Sequence, residues 1–351
     1  MSAKIDSVLL IGGAGFLGHH LIQQFYDRCP GIKIHVFDIR PLSDKKASYF
    51  TFPSNEIKLF VGDLTSPEDI SKAILESKCD VIVHSASPIP DVGTPELFEK
   101  VNVQGTKNII DVSKKLRVKA LIFTSSAGVV FNGADIYNVD EEWPYAEVHM
   151  DKYNETKAIA ERLVKDSNDP NGLITVSIRP SGIFGPGDRQ LVPGLINAAK
   201  LGQSKFQLGD NNNICDYTYA GNVADAHILA AKLALQPKEA HKVGGEVFII
   251  TNDTPIYFWT MAREVWKAYG VIEKRHIVFN KPLGVVLGYL SETFARLAGK
   301  PPGLTAFRVK IACANRYYDI SKAKSVLEYK PAVDLETGIK LTLDWLKEVD
   351  M

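Results

Sequence analysis

Tyr153 and Lys157 stand four residues apart in the run "YNETKAIAERLVK". Its polar and apolar spacing is that of an amphipathic helix, which brings positions i and i+4 onto one face. Most such pairs are solvated neighbours. A tyrosine with an ordinary pKa of about 10 is a poor base at neutral pH. A neighbouring ammonium favours the phenolate, so the hydroxyl can take the proton that a secondary alcohol loses as its hydride departs. A third group lies in "TSSAG", Thr124 to Gly128, at the end of a strand-like apolar run. In a parallel α/β sheet the C-terminal strand ends form the ligand crevice, so Ser126 there faces whatever the crevice holds. Capping a turn is the other employment open to Ser125 and Ser126.

Hydride chemistry needs an acceptor, and the first apolar run leads into "GGAGFLG" with Gly12, Gly13, Gly15 and Gly18. Glycines suit a sharp turn that lets a pyrophosphate approach the free N–H groups at a helix start. Asp38 ends the second apolar run twenty residues after Gly18, where a carboxylate accepts hydrogen bonds from an adenosine ribose. A carboxylate repels a 2′-phosphate, which favours NAD; Arg40 is the feature that an NADP site would use. In "GDL", Asp63 precedes Leu64 and can accept from an adenine amino group or simply cap a turn.

The elements that must position these groups are legible as an alternation. The runs "SVLLIG", "KIHVFD", "IKLFV", "DVIVH", "KALIFT" and "TVSIR" alternate with helix-length amphipathic segments. That order predicts right-handed βαβ units and a Rossmann-type, doubly wound parallel sheet, an α/β fold. After Gly182 the rhythm loosens into Gly-, Pro- and Asn-rich pieces of the kind that build binding sites. "EVFIIT" (246–251) is expected to return to the main sheet. Residues 1–185 and 213–254 are thus assigned to a dinucleotide-binding domain, and 186–212 and 255–351 to a smaller, mostly helical cap for the substrate.

Composition narrows the function further. Lys plus Arg (41) equals Asp plus Glu (41), so the charge balance offers nothing to nucleic acid. Cys29, Cys79, Cys215 and Cys313 are scattered, with no disulfide framework and no metal-ligand spacing, which fits a reducing, cytosol-facing compartment. The N-terminus has no signal-peptide pattern, so the sequons at Asn154 and Asn252 are read as chance.

Taken in order, "GGAGFLG", Asp38, "GDL", "HSAS" (84–87), "VNVQGT" with Asn102, "TSSAGV", Tyr153-xxx-Lys157 and "RPSGIFGPGD" (179–188) resemble the extended short-chain dehydrogenase/reductases. Within them the chain is most similar to the 3β-hydroxysteroid dehydrogenase branch, and there to the fungal decarboxylating sterol-4α-carboxylate group. "YNETKAIAE", "GPGDRQLVPGL", "LGQSKFQ", "GDNNN" and "YAGNVADAHILAA" carry that closer likeness. Ile11, where many relatives have threonine, departs from the pattern but leaves the glycine spacing intact.

The resemblance implies Tyr153 as acid/base, Lys157 as ribose ligand and modulator of the tyrosine, and Ser126 as donor to the substrate oxygen. It extends the cofactor site to Phe16, Leu17, Leu64, Ser85, Ala86, Ser87, Asn102, Pro180 and Ile183; a structural amide is the alternative for Asn102. The implied reaction oxidises the 3β-hydroxyl of a 4α-carboxysterol in ergosterol synthesis and releases the carboxylate as carbon dioxide, with no metal. Arg189 and Arg308 are the candidates for pairing that carboxylate. A nucleotide-sugar epimerase, a steroid dehydrogenase that does not decarboxylate and a dinucleotide-sensing regulator are the competing readings.

A sterol substrate implies work near a membrane, on the cytosolic face of the endoplasmic reticulum or on lipid droplets, beside the other enzymes of sterol C4 demethylation. A homodimer is compatible with the resemblance. In 281–300, Leu283, Val286, Leu287, Leu290, Phe294 and Leu297 form one helical stripe. The segment is too short and too charged to span a bilayer. It can lie in the interface with Lys281, Arg296 and Lys300 near headgroups, or pack on its own domain.

Overall fold

The computed structural model describes residues 4–42, 48–90, 93–299 and 304–349. Seven strands form an all-parallel sheet: β1 (Ser7–Ile11), β2 (Lys33–Asp38), β3 (Lys58–Val61), β4 (Val81–His84), β5 (Ala120–Thr124), β6 (Ile174–Pro180) and β7 (Glu246–Ile250). Their order is β7-β6-β5-β4-β1-β2-β3. These are the six runs of the first half plus the expected return of "EVFIIT". Strands buried on both faces need apolar residues at every position, which explains why β1 and β5 are buried throughout.

Five helices cover the sheet: α1 (Phe16–Arg28), α2 (Pro67–Ser77), α3 (Thr106–Lys115), α4 (Lys152–Asp166) and α5 (Ala220–Ala234). Alternate residues of each strand serve opposite faces. Val8 and Leu10 pack with Leu21 and Phe25 of α1 and Ile228 of α5. Leu9 and Ile11 pack with Ile70 of α2, Ile109 of α3 and Ala160 of α4. The strand order reverses between β1 and β4, so the loops leaving these strands splay apart and open a crevice at their C-terminal ends.

The remaining elements close over that crevice. Helices α6 (Phe258–Tyr269), α7 (Lys281–Ala298), α8 (Ala306–Cys313) and α9 (Leu335–Glu348) belong to the C-terminal third. A four-stranded sheet joins Ile256–Tyr257, Ile214–Cys215, Arg316–Tyr318 and Ile136–Val139 in that order. The chain passes between its two parts more often than a division into four segments assumes. Residues 136–139 pair with a C-terminal strand, and Ala323, Leu327 and Tyr329 are buried in the core of the main sheet.

Helix α7 turns most of its stripe away from its own domain. It packs through Gly284 and Gly288, and a Cβ at Gly288 would come within 2.5 Å of the Ala306 backbone nitrogen. Glycine on that face lets α7 and α8 approach closely. The apolar side chains are left facing outward: Leu283, Val286 and Leu290 are about half exposed, Phe294 is 67% exposed and Leu297 80%. Leu287 alone of the stripe is partly covered. Lys300 lies outside the described residues. No helix among the described residues is long and apolar enough to cross a membrane.

Candidate active site

Helix α1 begins at the phosphate loop with Gly15 as its N-cap, in extended backbone and without a side-chain cap. The loop glycines have separate reasons. Gly12 has a φ of +87°, and a Cβ there would lie 2.5 Å from the Ala86 backbone nitrogen. At Gly18 the added carbon would lie 2.4 Å from the Gly12 carbonyl oxygen, so this glycine lets the helix sit against the loop. At Gly15 it would meet only the Gly12 carbonyl oxygen, at 3.1 Å, so here the missing side chain leaves room in the crevice. Free helix amides behind clear space make a cradle for a phosphate. The residues present fit a dinucleotide.

Two chambers continue from that cradle. One, of about 410 Å³, is walled by Asp38, Asp63, Leu64, Ser85 and Ala86, with Arg40 at its edge. Asp38 is buried at the end of β2; its two oxygens accept from the Ala14 and Arg40 amides at 3.1 and 3.0 Å, which fixes the carboxylate against the loop. Asp63 accepts from the Thr65 amide at 2.9 Å, the turn role open to it from the sequence, while still lining the chamber. The other chamber, of about 620 Å³, holds Phe16, Leu17, Gly18, Ser126, Tyr153, Lys157, Pro180 and Ile183. Gly12, Gly15, Ser85 and Ser87 border both.

The proton-transfer group sits in the larger chamber. Asp151 caps α4 by accepting from the Asn154 amide at 2.7 Å, which starts the helix one residue before Tyr153. The Phe98 ring meets the Tyr153 ring edge-on at 5.8 Å and holds it in place. Burial pushes the Tyr153 hydroxyl up, the Asp151 carboxylate adds to this, and a hydrogen bond from Ser126 opposes it. Ser126 also accepts from the Gly128 amide at 3.1 Å and so caps the turn after β5, filling both roles its position allowed.

Lys157 is anchored on β5. Its Nζ donates to the Thr124 carbonyl at 2.7 Å and lies 4.8 Å from the centre of the Phe123 ring. Burial brings it down to about 7, with Glu161 pulling the other way.

Asn102 stands one layer behind the crevice wall. It is buried in a π-helical turn, Glu99–Gly105, a wide turn that often marks a functional site. Its Oδ1 accepts from Ser87 at 2.9 Å and its Nδ2 donates to the Thr156 hydroxyl at 3.0 Å. That hydroxyl donates to the Tyr153 carbonyl at 3.0 Å, so the amide ties the loop after β4 to the turn bearing the tyrosine.

Several wall residues carried no signal in the sequence. The Ser125 hydroxyl is buried beside Ser126 with no hydrogen-bond partner among the described residues. Phe131, Met150, Phe307, Ile311, Arg316 and Tyr318 complete the larger chamber, bringing residues from the cap against the catalytic group. Arg189 reaches that chamber at its exposed rim; Arg308 does not line it. Among the described residues no group of His, Cys, Asp or Glu side chains is placed to hold a metal ion.

A model of the 3-beta hydroxysteroid dehydrogenase/isomerase family matches residues 9–281, from β1 to the start of α7. The chain belongs to that family. Among curated members of this 3-beta hydroxysteroid dehydrogenase/isomerase group, it is 61% identical to the decarboxylating sterol-4-alpha-carboxylate 3-dehydrogenase of Candida albicans, covering 99% of both chains. It is 59% identical to the Saccharomyces cerevisiae enzyme of the same name, again over 99% of both. The human enzyme of that description is 39% identical over 95% of this chain and 86% of its own. Solved structures share the fold at lower identity. A Thermus thermophilus UDP-glucose 4-epimerase in complex with NAD superimposes with a TM-score of 0.71 at 21% identity, over 97% of this chain and 99% of the other. A Bacillus anthracis dTDP-glucose 4,6-dehydratase in complex with NAD gives 0.73 at 19% identity, over 98% and 97%.

Proposed function

We propose that this chain oxidises the 3β-hydroxyl of a 4α-carboxysterol to the ketone, with NAD as acceptor, and releases the C4 carboxylate as carbon dioxide. One observation carries the dehydrogenase reading: Ser126, Tyr153 and Lys157 converge in one chamber with the phosphate cradle at its edge. The similarity to curated enzymes of that name supports the sterol acid as substrate.

The bound nicotinamide supplies the hydride acceptor. Tyr153 takes the hydroxyl proton, and Ser126, hydrogen-bonded to it, holds the substrate oxygen as negative charge develops. The product is a β-keto acid. When its C4–carboxylate bond breaks, the electron pair moves into the adjacent carbonyl and forms an enolate, and carbon dioxide leaves. The same two hydroxyls stabilise the enolate oxygen, so the second step calls for no metal. Phe131, Met150, Phe307 and Ile311 give the chamber an apolar lining suited to a sterol ring system.

The outward apolar face of α7 supports peripheral work on a lipid surface: the cytosolic face of the endoplasmic reticulum or lipid droplets, beside the other enzymes of sterol C4 demethylation. The test of the reaction is purified protein with a 4α-carboxysterol and NAD or NADP, following reduced nicotinamide and carbon dioxide together. Both should appear in equal amounts with NAD, and Tyr153→Phe should lose both by about 10²-fold or more while still binding cofactor. Cofactor reduction without carbon dioxide would leave a plain 3β-hydroxysteroid dehydrogenase.

A further inference from the structure

We infer that Arg316 binds the carboxylate of the substrate and so sets the preference for a sterol acid over the same sterol without the acid. The inference rests on the reaction proposed above and identifies the charged subsite within it.

Geometry aims Arg316 at the chamber. On the strand Arg316–Tyr318, residues two apart share a face. The Tyr318 hydroxyl donates to the Ala127 carbonyl at 3.4 Å, and the Arg316 guanidinium stacks 5.3 Å from the centre of the Phe131 ring. Ala127 and Phe131 both belong to the segment that runs on from Ser126. That strand face is thus turned onto the turn holding the catalytic serine, and Arg316 lines the same chamber as Tyr153 and Ser126.

Among the described residues Arg316 has no carboxylate at ion-pair distance, only the longer-range field of Asp216. A guanidinium withdrawn from water needs an anion. Arg179 has Glu161 at 2.6 Å, and Arg28 has Asp225 at 2.6 Å. Arg316, half-buried, makes no ion pair among the described residues. The acid on the neighbouring strand, Asp216, accepts from the Tyr318 amide at 2.9 Å and acts on Arg316 through its field without an ion pair. The planar fork of a guanidinium matches a carboxylate with two parallel hydrogen bonds. An apolar wall beside a guanidinium withdrawn from water fits a hydrophobic acid. Arg189 lies on the exposed rim of the chamber, and Arg308 does not line it.

The experiment compares a 4α-carboxysterol with the matching 4α-methylsterol, reading reduced nicotinamide, in the full-length chain and in Arg316→Gln, Arg316→Lys and Arg189→Ala. Wild type should prefer the acid. Arg316→Gln should raise KM for the acid by about 10- to 100-fold with little change in kcat, while NAD affinity and the melting temperature stay at wild-type levels. Those two retained readouts show an intact fold, and Arg316→Lys should fall between. A preference for the acid that survives in Arg316→Gln overturns the assignment, as does one lost in Arg189→Ala instead. A wild type that leaves the carboxysterol unoxidised while oxidising the methylsterol overturns the functional reading beneath it, and the subsite with it.

Discussion

The surroundings of Tyr153 act on its hydroxyl in opposite directions. Burial and the Asp151 carboxylate both raise it, and Ser126 is the opposing group. Asp151 also caps α4, so its charge and its hydrogen bond are separable functions. Asparagine caps a helix about as well as aspartate, so Asp151→Asn keeps the helix start and removes the charge. With that charge gone the folded pKa of Tyr153 falls, so the base form persists to lower pH. The acid limb of the pH–kcat profile should therefore move to lower pH, with the melting temperature nearly unchanged. A limb that stays in place would show that Asp151 acts on the tyrosine through structure alone. The pairing of Tyr153 with Lys157 was visible as helical spacing, and the serine as a strand end. Burial was not: the loss of water that lowers Lys157, and the carbonyl that engages it, belong to packing around β5 that no local spacing encodes.

At the scale of elements, α4 must keep its register against β6, because the crevice depends on where its first turn stands. A buried ion pair joins them: Glu161 on α4 accepts from Arg179 on β6 at 2.6 Å, and Tyr145 donates to the same carboxylate at 2.7 Å. Removing one partner of a buried pair strands the other charge, which costs about 3–5 kcal/mol. Glu161→Gln should lower stability by about that much in denaturant titrations, and with it the activity at elevated temperature. A loss below about 1 kcal/mol would mean that water reaches Arg179 and that α4 is fixed by its apolar face instead. The seven strands and the phosphate loop were legible because each is a local pattern of apolar runs and glycines. The π-helical turn around Asn102 was not, since its hydrogen-bond pattern follows from the contacts of Asn102 with Ser87 and Thr156 across the fold. Arg316 was hidden for a similar reason. In "NRYYD" it reads as an ordinary surface cation, and only the pairing of its strand with Ile136–Val139 carries it to the crevice.

For the whole molecule, the problem is delivery of a water-insoluble substrate to a crevice partly walled by α8. Helix α7 packs on α8 and turns its apolar stripe outward, so the exposed face and the chamber wall are joined by one close helix contact. Phe206, Ile277 and Val278 are also exposed, on two strands that pair with each other, the second ending two residues before α7. Monomeric soluble proteins rarely leave a contiguous apolar patch of this kind uncovered. In the peripheral role proposed above, a lipid surface would cover it without spanning the bilayer, with Lys281 and Arg296 at the ends of the helix near anionic headgroups. The protein should then sediment with phospholipid vesicles, more strongly when they contain anionic lipid. Phe294→Glu with Leu297→Glu places two charges where the side chains are most exposed, so folding should be unaffected while vesicle binding falls by about 10-fold or more. Turnover of a sterol presented in vesicles should fall in parallel, and turnover of the same sterol in detergent micelles should not. Unchanged sedimentation of the double variant would remove α7 as the contact. A fall in both assays alike would instead mark the stripe as part of the path by which substrate reaches Tyr153.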